Sequence, residues 1–111
     1  MMKGAYLGEL EEMVLVIVAS LADSAYGVTI LNQISLVAGR NINISAVHAV
    51  LRRLEAKGLL KSRMGGATAE RGGRSKRYFQ LTASGKRTVE ATIAMRVQLY
   101  NKVPGLTVKL S

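Results

Sequence analysis

The sequence contains no cysteine and no tryptophan, and it has a single proline and a single histidine. Without cysteine, the chain can form no disulfide framework, no thiolate nucleophile and no cysteine-based zinc site. His48 alone makes no persuasive metal site. Asp23 is the only aspartate, and no carboxylate pair is evident. We therefore expect no catalytic residues, no metal and no cofactor, and an enzyme is the least favoured class of protein.

Long apolar runs are also absent. The longest run, residues 13–22 with one serine inside it, is far short of the roughly 20 residues that a membrane span needs. The first twelve residues carry one lysine followed by three glutamates, which is not the order of a signal peptide. A length of 111 residues suits one small domain, and we expect a cytoplasmic protein.

Positive charge is abundant and unevenly placed. Residues 40–87 hold twelve of the sixteen lysines and arginines but only two acids, Glu55 and Glu70, whereas residues 1–39 carry a net charge of −3. A local cationic field of this kind favours a polyanionic partner such as nucleic acid. The alternative, a soluble protein that is merely basic, remains open at this point.

Apolar spacing predicts two helices in the first third of the chain. Residues 7–21 and 26–37 both show apolar side chains at helical intervals. The first helix is apolar on more than one face, which is typical of a helix that packs against two neighbours. Gly39 is a plausible residue to close the second helix, and Tyr26 is expected to pack in the core beside Gly27.

A third helix follows Asn43, which is a good N-cap residue, and ends at Gly58. One face carries Val47, Val50, Leu51 and Leu54 in strict helical order, and the opposite face carries Ser45, Ala49, Arg52 and Ala56. The helix therefore buries valine and leucine and presents small residues and arginine outward. Small outward residues would let the helix enter a DNA major groove about 12 Å wide.

The spacing then changes to a period of two, which predicts short strands at residues 59–64 and 76–81 joined by a glycine-rich loop. Thr82 resembles an N-cap, and residues 83–102 read as a fourth helix. The predicted fold is mainly α with a small β-hairpin, a winged helix-turn-helix. We divide it into a DNA-binding domain at 1–82, a C-terminal dimerisation helix at 83–102 and a loose tail at 103–111.

The chain resembles the PadR-like family of bacterial transcriptional regulators, in its short form with a single C-terminal helix. The resemblance covers roughly residues 7–100. It rests on the segments LGELEEMVLVIVASL, AYGVTILNQI, ISAVHAVLRRLEAKGLLKSR and GGRSKRYFQLTASGKR, which are specific in combination. Relatives usually have a tyrosine where this chain has His48. A histidine there can still donate to phosphate, with a charge that depends on pH.

The resemblance implies a homodimeric DNA-binding repressor, with helix 43–58 in the major groove, wing 61–81 on the backbone and a pseudo-palindromic operator. Residue patterns and resemblance together give these candidate DNA contacts: Asn43, Ser45, Ala46, His48, Ala49, Arg52, Arg53, Gly73, Arg74, Lys76 and Arg77. Apolar excess on the first and last helices gives these candidate dimer contacts: Leu10, Val14, Val18, Val89, Ile93, Val97 and Tyr100.

Two further hypotheses accompany this reading. A small-molecule effector could bind at the dimer interface, although the tryptophan that lines such a pocket in some relatives is absent here. The rival function is a winged-helix protein-interaction module, whose basic wing binds an acidic protein instead of specific DNA.

Overall fold

The computed structural model describes residues 7–65 and 76–106. Four helices and one antiparallel hairpin follow one another along the chain. They are α1 (Glu9–Leu21), a 3₁₀ turn (Ala22–Ser24), α2 (Gly27–Ala38), α3 (Ile44–Ala56), β1 (Leu60–Met64), β2 (Arg77–Leu81) and α4 (Ala83–Tyr100). The predicted class, mostly helical with a small hairpin, is confirmed.

Three helix ends form as their sequences predict. The Asn43 Oδ1 atom accepts a hydrogen bond from the Ala46 N–H at 2.8 Å at the start of α3. The Thr82 hydroxyl accepts from the Gly85 N–H at 2.9 Å at the start of α4. Gly39 closes α2 with a φ of +65°, a left-handed conformation that glycine adopts without a steric cost.

Helix α1 begins two residues later than the apolar spacing predicts. Gly8 has extended backbone, and its N–H donates to the Glu11 carboxylate at 3.0 Å. A side chain at the third helical position that reaches back in this way satisfies a donor that the helix itself leaves unpaired. Local capping chemistry therefore fixes the start of α1 at Glu9 instead of Leu7.

The core lies between α1, α2, α3 and the base of the hairpin. Among the described residues, its buried hydrophobic members are Val14, Leu15, Val18, Ala25, Ile30, Ile34, Val47, Val50, Leu51, Leu54, Leu59, Leu60 and Phe79. The Phe79 N–H also donates to the Ala25 carbonyl at 2.9 Å, so the hairpin is attached to the turn before α2. The whole inward face predicted for α3 is buried here.

Helix α4 is attached differently. Gly85 is its one buried residue, and Val89 packs against the edge of the core. Ile93, Met95 and Leu99 are exposed large hydrophobic residues. Across residues 7–65 and 76–106, no helix combines the length and the apolarity that a membrane crossing requires.

Candidate nucleic-acid interface

Helix α3 presents a polar outer face opposite its buried one. Ser45, His48 and Arg52 are exposed on this face, and Ala46 and Ala49 are half-buried beside them. Asn43, also a predicted contact, uses its side-chain oxygen to cap the helix. Its amide nitrogen is therefore the part of that side chain that can donate to another molecule.

Helix α2 approaches α3 closely where Gly27 meets His48. A Cβ atom on Gly27 would lie 2.8 Å from the His48 Cε1 atom and 3.3 Å from the Ile44 Cδ1 atom. Glycine at position 27 therefore lets the imidazole lie against the start of α2. The contact fixes where His48 sits on the surface, a role that the sequence did not reveal.

The wing meets the start of α2 through two aromatic rings. Tyr26 and Tyr78 form an edge-to-face pair with centroids 5.4 Å apart and an interplanar angle of 67°. The Lys76 ammonium lies 5.3 Å from the Tyr26 ring centroid, and the Arg63 guanidinium lies 5.2 Å from that of Tyr78. Tyr26 is half-buried. It thus lies at the junction of α2 with the wing, and not in the core where the sequence analysis placed it.

Arg77 connects the wing to α3 through two hydrogen bonds in series. Its Nη1 atom donates to the Ser62 hydroxyl at 2.9 Å, and that hydroxyl donates to the Glu55 carboxylate at 2.8 Å. The Arg77 side chain is therefore held across the hairpin while the residue as a whole stays exposed. This arrangement orients a cation beside the outer face of α3.

Four of the predicted DNA contacts meet on one surface, which we call the basic face: His48, Arg52, Lys76 and Arg77. Two neighbouring depressions define it. His48, Arg52 and Arg77 line one of them with Glu55 and Phe79. His48, Lys76 and Arg77 line the other with residues at the starts of α2 and α3. His48 and Arg77 border both depressions and so lie at the centre of the basic face.

Arg53 has a different environment from its neighbour Arg52. Its Nε atom contacts the Glu11 carboxylate of α1 at 3.2 Å, and the Lys57 ammonium contacts the same carboxylate at 2.8 Å. Burial raises the pKa of Glu11. The hydrogen bonds from Lys57, the Gly8 N–H and Arg53 outweigh that effect, so the pKa of Glu11 is lowered overall. Arg53, although half-exposed, helps to hold α3 against α1.

Gly73 and Arg74, the other two predicted wing contacts, lie outside the described residues. Lys61 and Arg63, which are not among the predicted DNA contacts, are exposed on β1. Because side chains alternate along a strand, these two lie on one face of β1 and Ser62 lies on the other. The period of two that predicted the strand was the signal that could have identified them.

The predicted dimer contacts separate into three groups. Val14 and Val18 are 0% and 1% exposed, so both are core residues of the protomer and offer no surface to a partner. Ile93 and Tyr100 are exposed on α4. The other three, Leu10, Val89 and Val97, are half-buried.

Nothing in the described part of the chain resembles a metal site, because no three His, Cys, Asp or Glu side chains are grouped suitably there. The structure instead defines a winged helix-turn-helix protein, in which a basic helix and a basic hairpin share one face. The sequence model that describes the PadR-like family of transcriptional regulators matches residues 14–91 of this chain. This is well over half of the sequence, and the chain therefore belongs to that family, whose members are regulators and not enzymes.

Several solved structures share this fold. A Streptococcus transcriptional regulator has 23% identity and a TM-score of 0.69, covering 86% of this chain and 89% of its own. A PadR family regulator from Eggerthella lenta has 25% identity and a TM-score of 0.65, covering 85% and 81%. Bacillus subtilis PadR in complex with operator DNA has 20% identity and a TM-score of 0.63, covering 76% and 46%. No curated protein is a significant match.

Proposed function

We propose that the protein is a homodimeric, sequence-specific DNA-binding repressor of transcription, with α3 in the major groove and the wing on the DNA backbone. The observation that carries the proposal is the basic face, where cations from α3 and from the wing meet on one exposed surface. The similarity to Bacillus subtilis PadR, solved in complex with operator DNA, supports the same function.

In this proposal, the outer face of α3 and the wing have different roles. Ser45, Ala46 and Ala49 are small enough for the α3 backbone to approach base edges, while Arg52 can donate to guanine or to phosphate. Lys76 and Arg77 lie on the wing and bind phosphates. These contacts position the protein on the duplex but do not distinguish one base sequence from another. His48 lies between the two parts and donates to a phosphate or a base edge.

For the dimer, we propose that α4 supplies the main contact surface and that residues 1–82 form the DNA-binding domain. Exposed Ile93, Leu99 and Tyr100 leave more apolar surface on α4 than a solvated helix usually carries. Leu10, Val89 and Val97 border this surface. A two-fold dimer would set its two α3 helices one duplex turn apart, about 34–36 Å.

We propose a small-molecule effector site next to this surface, with which it shares Val89. A cleft of about 500 Å³ lies beside α4 and is lined by Val18, Ala22, Leu81 and Val89, with Asp23, Lys86 and Glu90 also at its wall. A compound bound there should shift the methyl NMR signals of Val18 and Val89 and change duplex affinity. A fragment library that leaves those methyl signals unmoved would count against the site.

The test of DNA binding is a selection of duplexes from a random library, followed by salt titration of the selected sequence. The wild-type protein should recover a palindromic consensus, and its affinity should fall steeply with salt because bound cations release counterions from DNA. Arg77→Ala should weaken binding to all sequences and reduce the salt slope by about one. Arg52→Ala should cost about 1–3 kcal/mol if Arg52 reads a base.

Lys102→Ala is the matched control, because Lys102 is an exposed cation just beyond α4 and distant in sequence from the basic face. It should leave duplex affinity unchanged. Binding with no salt slope and no preferred sequence would contradict the proposal. Duplex affinity that is unaffected by Arg52→Ala and Arg77→Ala would instead favour the protein-interaction module.

A further inference from the structure

Helix α4 is fixed to the rest of the protomer at its first turn. A Cβ atom on Gly85 would lie 2.1 Å from the Leu59 carbonyl oxygen, so the backbones of α4 and of the segment before β1 are in direct contact. The Thr82 hydroxyl donates to the Gly58 carbonyl at 2.7 Å, and the Thr82 N–H donates to the Leu59 carbonyl at 3.1 Å. This contact fixes the position of one end of the helix.

A second attachment lies about three helical turns further on, roughly 16 Å along the axis. The Arg96 guanidinium forks onto the Glu12 carboxylate of α1, with Nε donating to Oε2 at 2.6 Å and Nη2 donating to Oε1. Arg96 also approaches the Tyr100 hydroxyl at 3.5 Å. Between the two attachments, Val89 packs against the edge of the core, while Ala91, Ile93 and Ala94 are exposed.

The Glu12–Arg96 pair is better suited to fix the orientation of α4 than to stabilise the fold. Ion pairs at a surface contribute little to folding free energy, but a fork of two parallel hydrogen bonds fixes both the separation and the angle of its partners. The hydrogen bond to Glu12, followed by that to Tyr100, raises the pKa of Arg96 above its ordinary value. A helix held at points far apart along its axis has a defined tilt. Without the Glu12–Arg96 pair, α4 would be held only at Gly85 and Val89 in its first two turns, and its far end could pivot.

The neighbouring residue on α1 makes the corresponding contact with α3. Glu11 binds Arg53 and Lys57 near the end of α3, while Glu12 binds Arg96 of α4. Successive residues on a helix point about 100° apart, so adjacent carboxylates reach different neighbours. Helix α1 thus carries ionic contacts to the end of α3 through Glu11 and to α4 through Glu12, which together relate the orientations of those two helices.

We propose that the Glu12–Arg96 pair sets the spacing between the two α3 helices of the dimer, so that Arg96 is a positioning residue for operator half-site spacing. This inference depends on the proposed function, because it requires a DNA-binding dimer joined through α4. The helix is roughly 27 Å long, so pivoting it by about 10° moves its far end by roughly 5 Å. That displacement exceeds the roughly 3.4 Å rise of one base pair.

The first experiment measures affinity for duplexes whose two half-sites are separated by spacers of different lengths. The wild-type protein should prefer one spacer, whereas Arg96→Gln and Glu12→Gln should bind several spacers with affinities within about fivefold of each other. The double variant Glu12→Arg with Arg96→Glu should recover the preference, since the fork is rebuilt in reverse. A general loss of stability would lower affinity at every spacer equally and would not change the preference.

The matched control is Arg40→Gln, which removes a single-contact ion pair to Glu9 at 3.3 Å. Glu9 lies on the same helix as Glu12, but Arg40 precedes α3, and the Arg40–Glu9 ion pair includes no residue of α4. This variant should keep the wild-type spacer preference. A shift in preference equal to that of Arg96→Gln would overturn the assignment to Arg96.

A second readout requires no DNA. Because the chain has no cysteine, Ser45→Cys introduces one spin label per protomer at the start of α3, and the label-to-label distance reports the separation of the two helices. This distance should be narrowly distributed in the wild-type background, broad with Arg96→Gln and narrow again in the reversed pair. Unchanged distances and spacer preference in Arg96→Gln would overturn the inference alone. A wild-type protein that neither dimerises nor binds duplex would overturn the proposed function and the inference together.

Discussion

The three-helix domain with its hairpin and the terminal helix α4 obtain their stability in different ways. The domain buries Leu15, Ile30, Leu51 and Leu54 completely, and each such side chain contributes about 1.5–3 kcal/mol on leaving water. Helix α4 buries Gly85 and leaves Ile93 and Leu99 exposed. The comparison indicates that the core lies within the three helices and the hairpin, whereas α4 contributes Val89 at its edge and beyond that residue gains further apolar burial only when another surface covers it.

The largest expected difference in the free energy of unfolding is between alanine variants of two leucines, one from each region. Leu51→Ala removes a fully buried side chain of α3 and should lower the free energy of unfolding by about 2–5 kcal/mol. Leu99→Ala, at a residue that is 53% exposed, should change protomer stability by no more than about 0.5 kcal/mol. Urea unfolding at several protein concentrations measures both effects.

The concentration series distinguishes the two regions further. If the proposed dimer forms through α4, mass action adds to the stability of the folded state, and Leu99→Ala should lower the midpoint more at high protein concentration than at low concentration. Leu51→Ala should lower it at every concentration. Equal losses in the two variants would mean that α4 is part of the core, and the contrast between the regions would then be incorrect.

Much of the domain could be predicted from the sequence because its signals are local. The valines and leucines of α3 recur at helical spacing, Asn43 and Thr82 have the chemistry of N-caps, and Gly39 has that of a helix end. The strands β1 and β2 were predicted to within one residue of the ends that the structure gives them. In each case the deciding interaction lies within a few residues along the chain.

The parts that sequence could not provide depend on contacts between distant residues. Glu11 meets Arg53 across 42 positions and Arg96 meets Glu12 across 84, and no periodicity reports such pairs. The same limitation explains why the sequence pattern assigned Val14 and Val18 to the dimer interface, although both lie in the core of the protomer. An apolar helical face does not show whether the core or a partner chain covers it. Of the predicted DNA contacts, the structure brought four onto one face and showed Arg53 bound to α1.

A second comparison concerns the junction between the two regions, at Gly85. Replacing an exposed helical glycine by alanine normally stabilises a helix by about 0.5–1 kcal/mol. At Gly85 the added Cβ atom would overlap the Leu59 carbonyl, so Gly85→Ala should instead destabilise the protein by about 1–3 kcal/mol.

Ser84→Ala is the control for this junction, since Ser84 is exposed in the same turn of α4. It should have almost no effect on the thermal unfolding midpoint. If Gly85→Ala raised the midpoint as an ordinary helix substitution does, the first turn of α4 would have to lie away from Leu59, and its role as a fixed attachment would be disproved.

The smallest expected effect on stability is that of Glu12→Gln, which is compared with the same substitution at the adjacent acid Glu11. Glu11 is 8% exposed and bonds within the domain, so Glu11→Gln should lower the free energy of unfolding by about 1–3 kcal/mol at neutral pH. Glu12 bonds to Arg96 of α4, whose side chain is 42% exposed. Glu12→Gln should therefore be indistinguishable in stability from the surface control Glu9→Gln, even where it alters operator spacing.

The pH dependence of Glu11→Gln provides the sharper version of this test. In the folded protein the pKa of Glu11 lies below its ordinary value of 4.5. At pH values between the lowered pKa and the ordinary one, the unfolded chain therefore binds more protons than the folded chain. The ionised carboxylate thus contributes stability that is fully present above the ordinary value and lost as pH falls through the lowered one. The stability difference between wild type and Glu11→Gln should shrink across that interval. A difference that stays constant would mean that Glu11 acts through packing and not through its charge.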